Sequence, residues 1–167
     1  MTQPSRRHSR QWALQILCQA ETQVLQATQE RSMEKPDNPC LGLPSSDKER
    51  LHQLAQLFFS RYCHQQHPDA YALHLVDGVA GFLFRIDDVL GRVSKGWKVS
   101  RMACIDRNVL RIAVYELLFG PKMPKRVVMN EAIEVARQFG TSGSAAFVNG
   151  VLDALAQHHL EAANKPK

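Results

Sequence analysis

Four features are scarce or missing in this sequence, and each removes a class of function. Its four cysteines, at 18, 40, 63 and 104, form no C-x-x-C pair. That argues against a zinc knuckle or dithiol redox motif, and at 167 residues a disulfide framework is not expected. The longest apolar stretches, such as Val79–Phe84, fall far short of the ~20 residues that span a bilayer. Basic residues near the start are not followed by the apolar segment of a signal peptide, so a soluble cytoplasmic protein is expected. Phosphate-binding G-x-x-x-x-G-K-[ST], dinucleotide-binding G-x-G-x-x-G and nucleophile-bearing G-x-S-x-G motifs are all absent. No enzymatic chemistry, metal or cofactor is therefore expected. Cys63, His64 and His67 lack a matching second ligand pair, and adjacent Asp87 and Asp88 make a poor acid–base couple.

What the chain does have is helical periodicity. Hydrophobic residues make up 44% and charged residues 22%, ordinary globular usage. Residues 5–30 read as a long helix on Trp12, Ala13, Ile16, Leu17, Ala20 and Val24. Pro36, Pro39, Gly42 and Pro44 make 31–46 a loop, after which Asp47 is expected to cap a helix to about Tyr62. Two further helices are read over 69–84 and 85–94. Residues 102–119 are apolar around nearly the whole circumference, as in the buried centre of a bundle. Helices over 125–139, with Gly140 just past the end, and from a Ser142 or Ser144 cap to about residue 160 complete the pattern. The expectation is all-α: a single-domain bundle of about seven helices over 1–160, with a flexible tail at 161–167.

The net charge of +5 favours a polyanionic partner only weakly, because distribution matters more than sum. Arg6, Arg7 and Arg10 precede any acid until Glu21 and fall within an arc about 100° wide, beside the apolar stripe. Guanidiniums without carboxylate neighbours suit phosphate forks, and cations at a helix N-terminus oppose the macrodipole. The competing reading is a solvated helix start. Arg92, Lys95, Lys98 and Arg101 form a second basic run; Lys122, Lys125 and Arg126 form a third. The Gly/Ser-rich turn at 140–144 opens a helix whose amides could accept phosphate, with Phe147 offering a stacking face to a base. Alternatively the turn simply joins two helices and Phe147 is core. Gly150 inside a helix suggests close approach by a neighbour. Arg111, Glu116, Asn130 and Glu131 read as a buried polar network.

Three stretches then carry a resemblance: residues 107–119 (RNVLRIAVYELLF), 124–140 (PKRVVMNEAIEVARQFG) and 147–153 (FVNGVLD). Together with residues 6–17 (RRHSRQWALQIL) and, more loosely, 69–79, they resemble the bacterial transcription antitermination factor NusB family. The resemblance implies an all-helical, non-enzymatic RNA-binding factor. It would pair with NusE, a small-subunit ribosomal protein, bind boxA-type single-stranded RNA, and join the RNA polymerase elongation complex on ribosomal RNA transcripts. It also implies RNA contacts at Arg6, Arg7, Arg10, Ser144 and Phe147, and a NusE-facing acid at Asp106. Some relatives form homodimers over the arginine-rich surface. The family often carries a polar or acidic residue at the position of Gly143, a lysine at that of Ala146 and an aromatic at that of Cys18. Two other readings stay open. One is a relative of the helical accessory domain of ribosomal RNA cytosine methyltransferases, though no S-adenosylmethionine-binding domain or catalytic cysteine follows. The other is a protein-binding scaffold with weakened RNA affinity.

Overall fold

The computed structural model describes residues 5–21, 23, 42–63, 68–94 and 96–163, with no account of the side chains from 159 onward. Among the described residues there are six α-helices and no strand. They are α1 (Arg6–Ala20), α2 (Ser45–Tyr62), α3 (Ala70–Val93), α4 (Cys104–Leu118), α5 (Lys125–Phe139) and α6 (Ser144–Ala163), with a 3₁₀ turn at Val99–Arg101. The chain divides into two compact units, Met1–Arg85 and Ile86–Lys167. Most of the expected 31–46 loop, Cys40, His64, His67 and residues 164–167 lie outside the described residues.

In the first unit, α1 starts where Ser5 Oγ accepts the His8 amide, and it buries Ala13, Leu14, Ile16, Leu17 and Ala20. It packs against α2, with Trp12 meeting Phe59 edge to face at 5.6 Å between ring centres. Asp47 does not cap α2. Pro44 holds the cap position, its carbonyl accepting the Asp47 and Lys48 amides, while Asp47 lies buried in the first turn. The carboxylate there sits at the positive end of the helix dipole.

Asp69 caps α3, its Oδ1 accepting the Ala72 amide at 2.7 Å. The two helices expected over 69–84 and 85–94 run on as α3, meeting at a kink at Phe82 (φ −122°, ψ 16°) and not at 84–85. The Leu43 amide donates to the Ala80 carbonyl at 2.8 Å, inserting an outside donor into the helical ladder just before the bend. That approach needs glycine at 42, where a Cβ would stand 2.2 Å from the Gly81 carbonyl oxygen. The kink thus lies beside a tertiary contact, and periodicity placed the break within a few residues of it.

In the second unit, α4, α5 and α6 pack against one another. Every residue of α4 from Asp106 to Glu116 is buried, as its all-round apolar character requires. Arg107, Asn108 and Arg111 on this helix find partners inside the protein. Arg111, fully buried, donates through Nε and Nη2 to the two carboxylate oxygens of Asp87 at 2.8 and 2.7 Å. Its Nη1 reaches Asn108 Oδ1 at 3.2 Å, and Asn108 Nδ2 donates to the Cys104 carbonyl. The buried network is thus centred on Arg111, Asp87 and Asn108, of which only Arg111 belongs to the expected set. Glu116 is buried as well, whereas Asn130 is exposed and Glu131 half-buried.

A fork bond of this kind tolerates removal of both partners better than of one, because one alone leaves an uncompensated buried charge. Arg111→Met should lose about 3–5 kcal/mol of stability. Arg111→Met with Asp87→Leu should recover much of that loss in denaturant titrations.

Candidate nucleic-acid interface

The expected contact residues fall in both units. In the first unit, Arg6 and Arg7 are exposed on the opening turn of α1, which contains no acid. The Arg6 guanidinium carbon stands 5.2 Å from the centre of the Tyr71 ring, and that of Arg10 stands 5.8 Å from it. Tyr71 in turn stacks with His74 at 6.1 Å. The Tyr71 ring thus draws in two cations that would otherwise repel; for the exposed Arg6 the attraction is about 0.5–1 kcal/mol. Arg10 departs from the sequence expectation of a phosphate fork, being only 3% exposed. Its position beside the apolar stripe carries it inward, where it supports Tyr71 rather than presenting itself to a ligand.

In the second unit, the turn between α5 and α6 is built on Gly140 and Ser144. Ser144 is 1% exposed, and its hydroxyl accepts the Thr141 amide at 2.9 Å. This hydroxyl folds back on the turn, so Ser144 shapes the turn and offers no accessible contact. Neither Ser142 nor Ser144 caps the helix; the Phe147 amide donates to Gly143 O, which places Gly143 at the cap. Gly140 does stand just past α5, but in extended backbone (φ −90°, ψ −166°) and not the left-handed conformation usual there. Steric space is what it supplies, since a Cβ would lie 2.4 Å from Ser144 Oγ. Thr141, Ser142, Gly143 and Ala146 are exposed around this turn.

Phe147 is half-buried and meets Trp97 edge to face, their ring centres 5.8 Å apart at 67°. Trp97 is 58% exposed. The sequence reading passed over it, although a tryptophan inside the Lys95–Lys98 basic run was a usable signal. Within that run Lys98 and Arg101 are exposed, while Arg92 pairs with Asp88 at 2.8 Å. The third run, Lys122, Lys125 and Arg126, is exposed too. Gly150 is not explained by a close neighbour, because a Cβ there would meet nothing within 4 Å.

Asp106, in the first turn of α4, is 8% exposed, and its Oδ1 has no hydrogen-bond partner among the described residues. A buried oxygen left this way typically costs about 1–3 kcal/mol. Among the described residues no group of three or more acidic, histidine or cysteine side chains could hold a metal ion. Burial pushes the Cys63 thiol up, away from the reactive thiolate. No described helix is long and apolar enough to cross a membrane.

The NusB family model matches residues 7–157. A curated relative from Desulforudis audaxviator, described as transcription antitermination protein NusB, is 40% identical over 147 residues, covering 88% of this chain and 89% of its own. Other curated relatives of the same description reach 54% identity over 87 residues, a stretch spanning only 60% of their length. Among solved structures, T. maritima NusB superposes with a TM-score of 0.65 at 29% identity, with 93% of each chain covered. A structure of the antitermination factors NusB and NusE with double-stranded RNA aligns at 0.61 and 21% identity, covering 92% of this chain and 96% of the other, and so shares the fold.

The two glycines of the interface turn and its helix separate by sterics. Gly140→Ala should destabilise the protein by about 1–3 kcal/mol, because both Ser144 and the Ala136 carbonyl must move. Gly150→Ala, exposed in mid-helix with open space around it, should stabilise by up to about 1 kcal/mol in thermal melts.

Proposed function

The chain belongs to the NusB family, and from that premise we propose that it is a transcription antitermination factor that holds boxA-type single-stranded RNA together with NusE. In this reading it acts on ribosomal RNA transcripts with the RNA polymerase elongation complex, in the cytoplasm, as a binding protein and not an enzyme. The observation that carries the reading is the acid-free first turn of α1, where Arg6 and Arg7 stand exposed with the Tyr71 ring beneath Arg6. Exposed guanidiniums present paired donors to phosphate oxygens, which fix the register of a strand without reading its sequence. Base identity is left to stacking and edge contacts, for which Phe147 supplies a ring.

The roles of the five expected RNA residues divide by burial. Arg6, Arg7 and Phe147 contact the strand; Arg10 and Ser144, both buried, position Tyr71 and the α5–α6 turn. With so few cationic contacts, the chain alone binds modestly. Tight capture comes from NusE adding contacts of its own to the same RNA. Asp106 suits the partner-facing role, since a donor from NusE would satisfy its unpaired Oδ1. A homodimer covering Arg6 and Arg7 would compete with RNA.

Arg6→Ala with Arg7→Ala should weaken binding of a boxA-type RNA in fluorescence anisotropy. It should also lower the slope of log affinity against log salt by about 1.4, two phosphate contacts at ~0.7 each. Its melting temperature should stay nearly unchanged, whereas Arg10→Ala should melt earlier. An unaltered salt slope in the double variant would remove these arginines from the interface.

Asp106→Ala is expected to weaken pairing with NusE, measured by calorimetry, while RNA affinity of the isolated chain changes little and its melting temperature rises, because an unsatisfied buried oxygen is removed. Loss of RNA binding with pairing intact would misassign the acid.

A further inference from the structure

Trp97 is a large exposed aromatic that RNA binding through Arg6, Arg7 and Phe147 leaves unused. Indole carries more apolar surface than any other side chain, and leaving it in water gains nothing for folding. Yet Trp97 is 58% exposed on a backbone that is firmly set. Its amide donates to Ser94 O at 2.9 Å, Ser94 Oγ donates back to the Trp97 carbonyl at 2.9 Å, and Gly96 supplies the left-handed residue between them (φ 85°). Farther along, the buried Arg107 donates through Nη1 to the carbonyls of Val99, Ser100 and Met102. The loop is thus fastened through its main chain and does not require the indole as a clamp.

The surroundings favour an anionic, aromatic ligand. No Asp or Glu occurs between Asp88 and Asp106, and Lys98 and Arg101 stand exposed on the same loop. The edge-to-face contact with Phe147 cannot cover both faces of the indole. Paired aromatic rings beside cations are the combination that takes up single-stranded nucleic acid, since every base has a π-face to stack.

We propose that Trp97 and Phe147 form a stacking step for one unpaired base of the bound RNA, with Lys98 and Arg101 as the adjoining phosphate contacts. This rests on the RNA-binding reading and adds a base-contacting residue to it. The bond made is a stacking contact and not an ion pair, so its loss lowers affinity equally at all salt concentrations.

The test uses the full chain carrying Trp12→Phe, which leaves Trp97 as the one remaining tryptophan of two. Titrating a boxA-type single-stranded RNA should quench Trp97 fluorescence in step with binding. Trp97→Ala should weaken that RNA roughly tenfold with the salt slope unchanged, and Trp97→Phe should restore most of the affinity. An RNA with an abasic nucleotide at the stacked position should bind the parent and Trp97→Ala alike. Unchanged fluorescence at saturation, or equal affinity of Trp97→Ala in a folded protein, overturns the proposal while leaving the RNA reading in place. A loss confined to NusE pairing overturns it in favour of a protein contact. Failure of the folded parent chain to bind the RNA at all would sink the underlying reading as well.

Discussion

The second unit depends on one buried ion pair. A helix that hides its whole circumference has no surface to which it can send a charge, yet α4 carries Arg111 at zero exposure. The carboxylate of Asp87 matches that guanidinium with two parallel hydrogen bonds, and Asn108 takes a third donor. Apolar packing alone would allow such a helix to rotate or slide among near-equivalent arrangements. A fork that bonds in one orientation removes that freedom, which is the best-attested use of a buried polar group. Arg107, one turn earlier on the same helix, then reaches the carbonyls of the 99–102 segment. The register fixed at Arg111 is in this way passed on to the loop that carries Trp97.

Much of the architecture was legible because the helices are long and periodic. The span 125–139 agrees with α5 residue for residue, and the burial of 106–116 follows from apolar side chains on every side. The unreadable parts share a physical cause: each depends on a group distant in sequence or on one hydroxyl's choice of partner. The exact position of the bend, at Phe82 and not at 84–85, lies beside the Leu43 amide, nearly forty positions earlier. Ser144 looks like a cap by residue type, but its hydroxyl turns to Thr141. Asp47 looks like a cap as well, and Pro44 takes that position.

The candidate interface shows the same division. Clustering of the leading arginines was plain from the absence of acids, but the burial of Arg10 was not, since a residue at the margin of an apolar stripe can fall on either side. Phe147 was visible as an aromatic near a helix start, while its partner Trp97 lies fifty residues away. Gly143 and Ala146, where the resemblance implies polar side chains, are exposed here, and Gly143 has open space around its Cβ direction. Their small residues therefore reflect no steric demand of the fold. Their effect falls on the number of groups presented to a ligand.

The Ser94–Trp97 turn has a kinetic consequence. A recognition loop that must first be ordered spends part of its attraction on lost conformational entropy and slows capture while it searches. Here the Ser94 carbonyl and hydroxyl, with the left-handed glycine between, hold the Trp97 backbone in place before any encounter. Under the stacking proposal a strand would meet a preformed loop, so changes there would act on how long the complex lasts more than on how fast it forms.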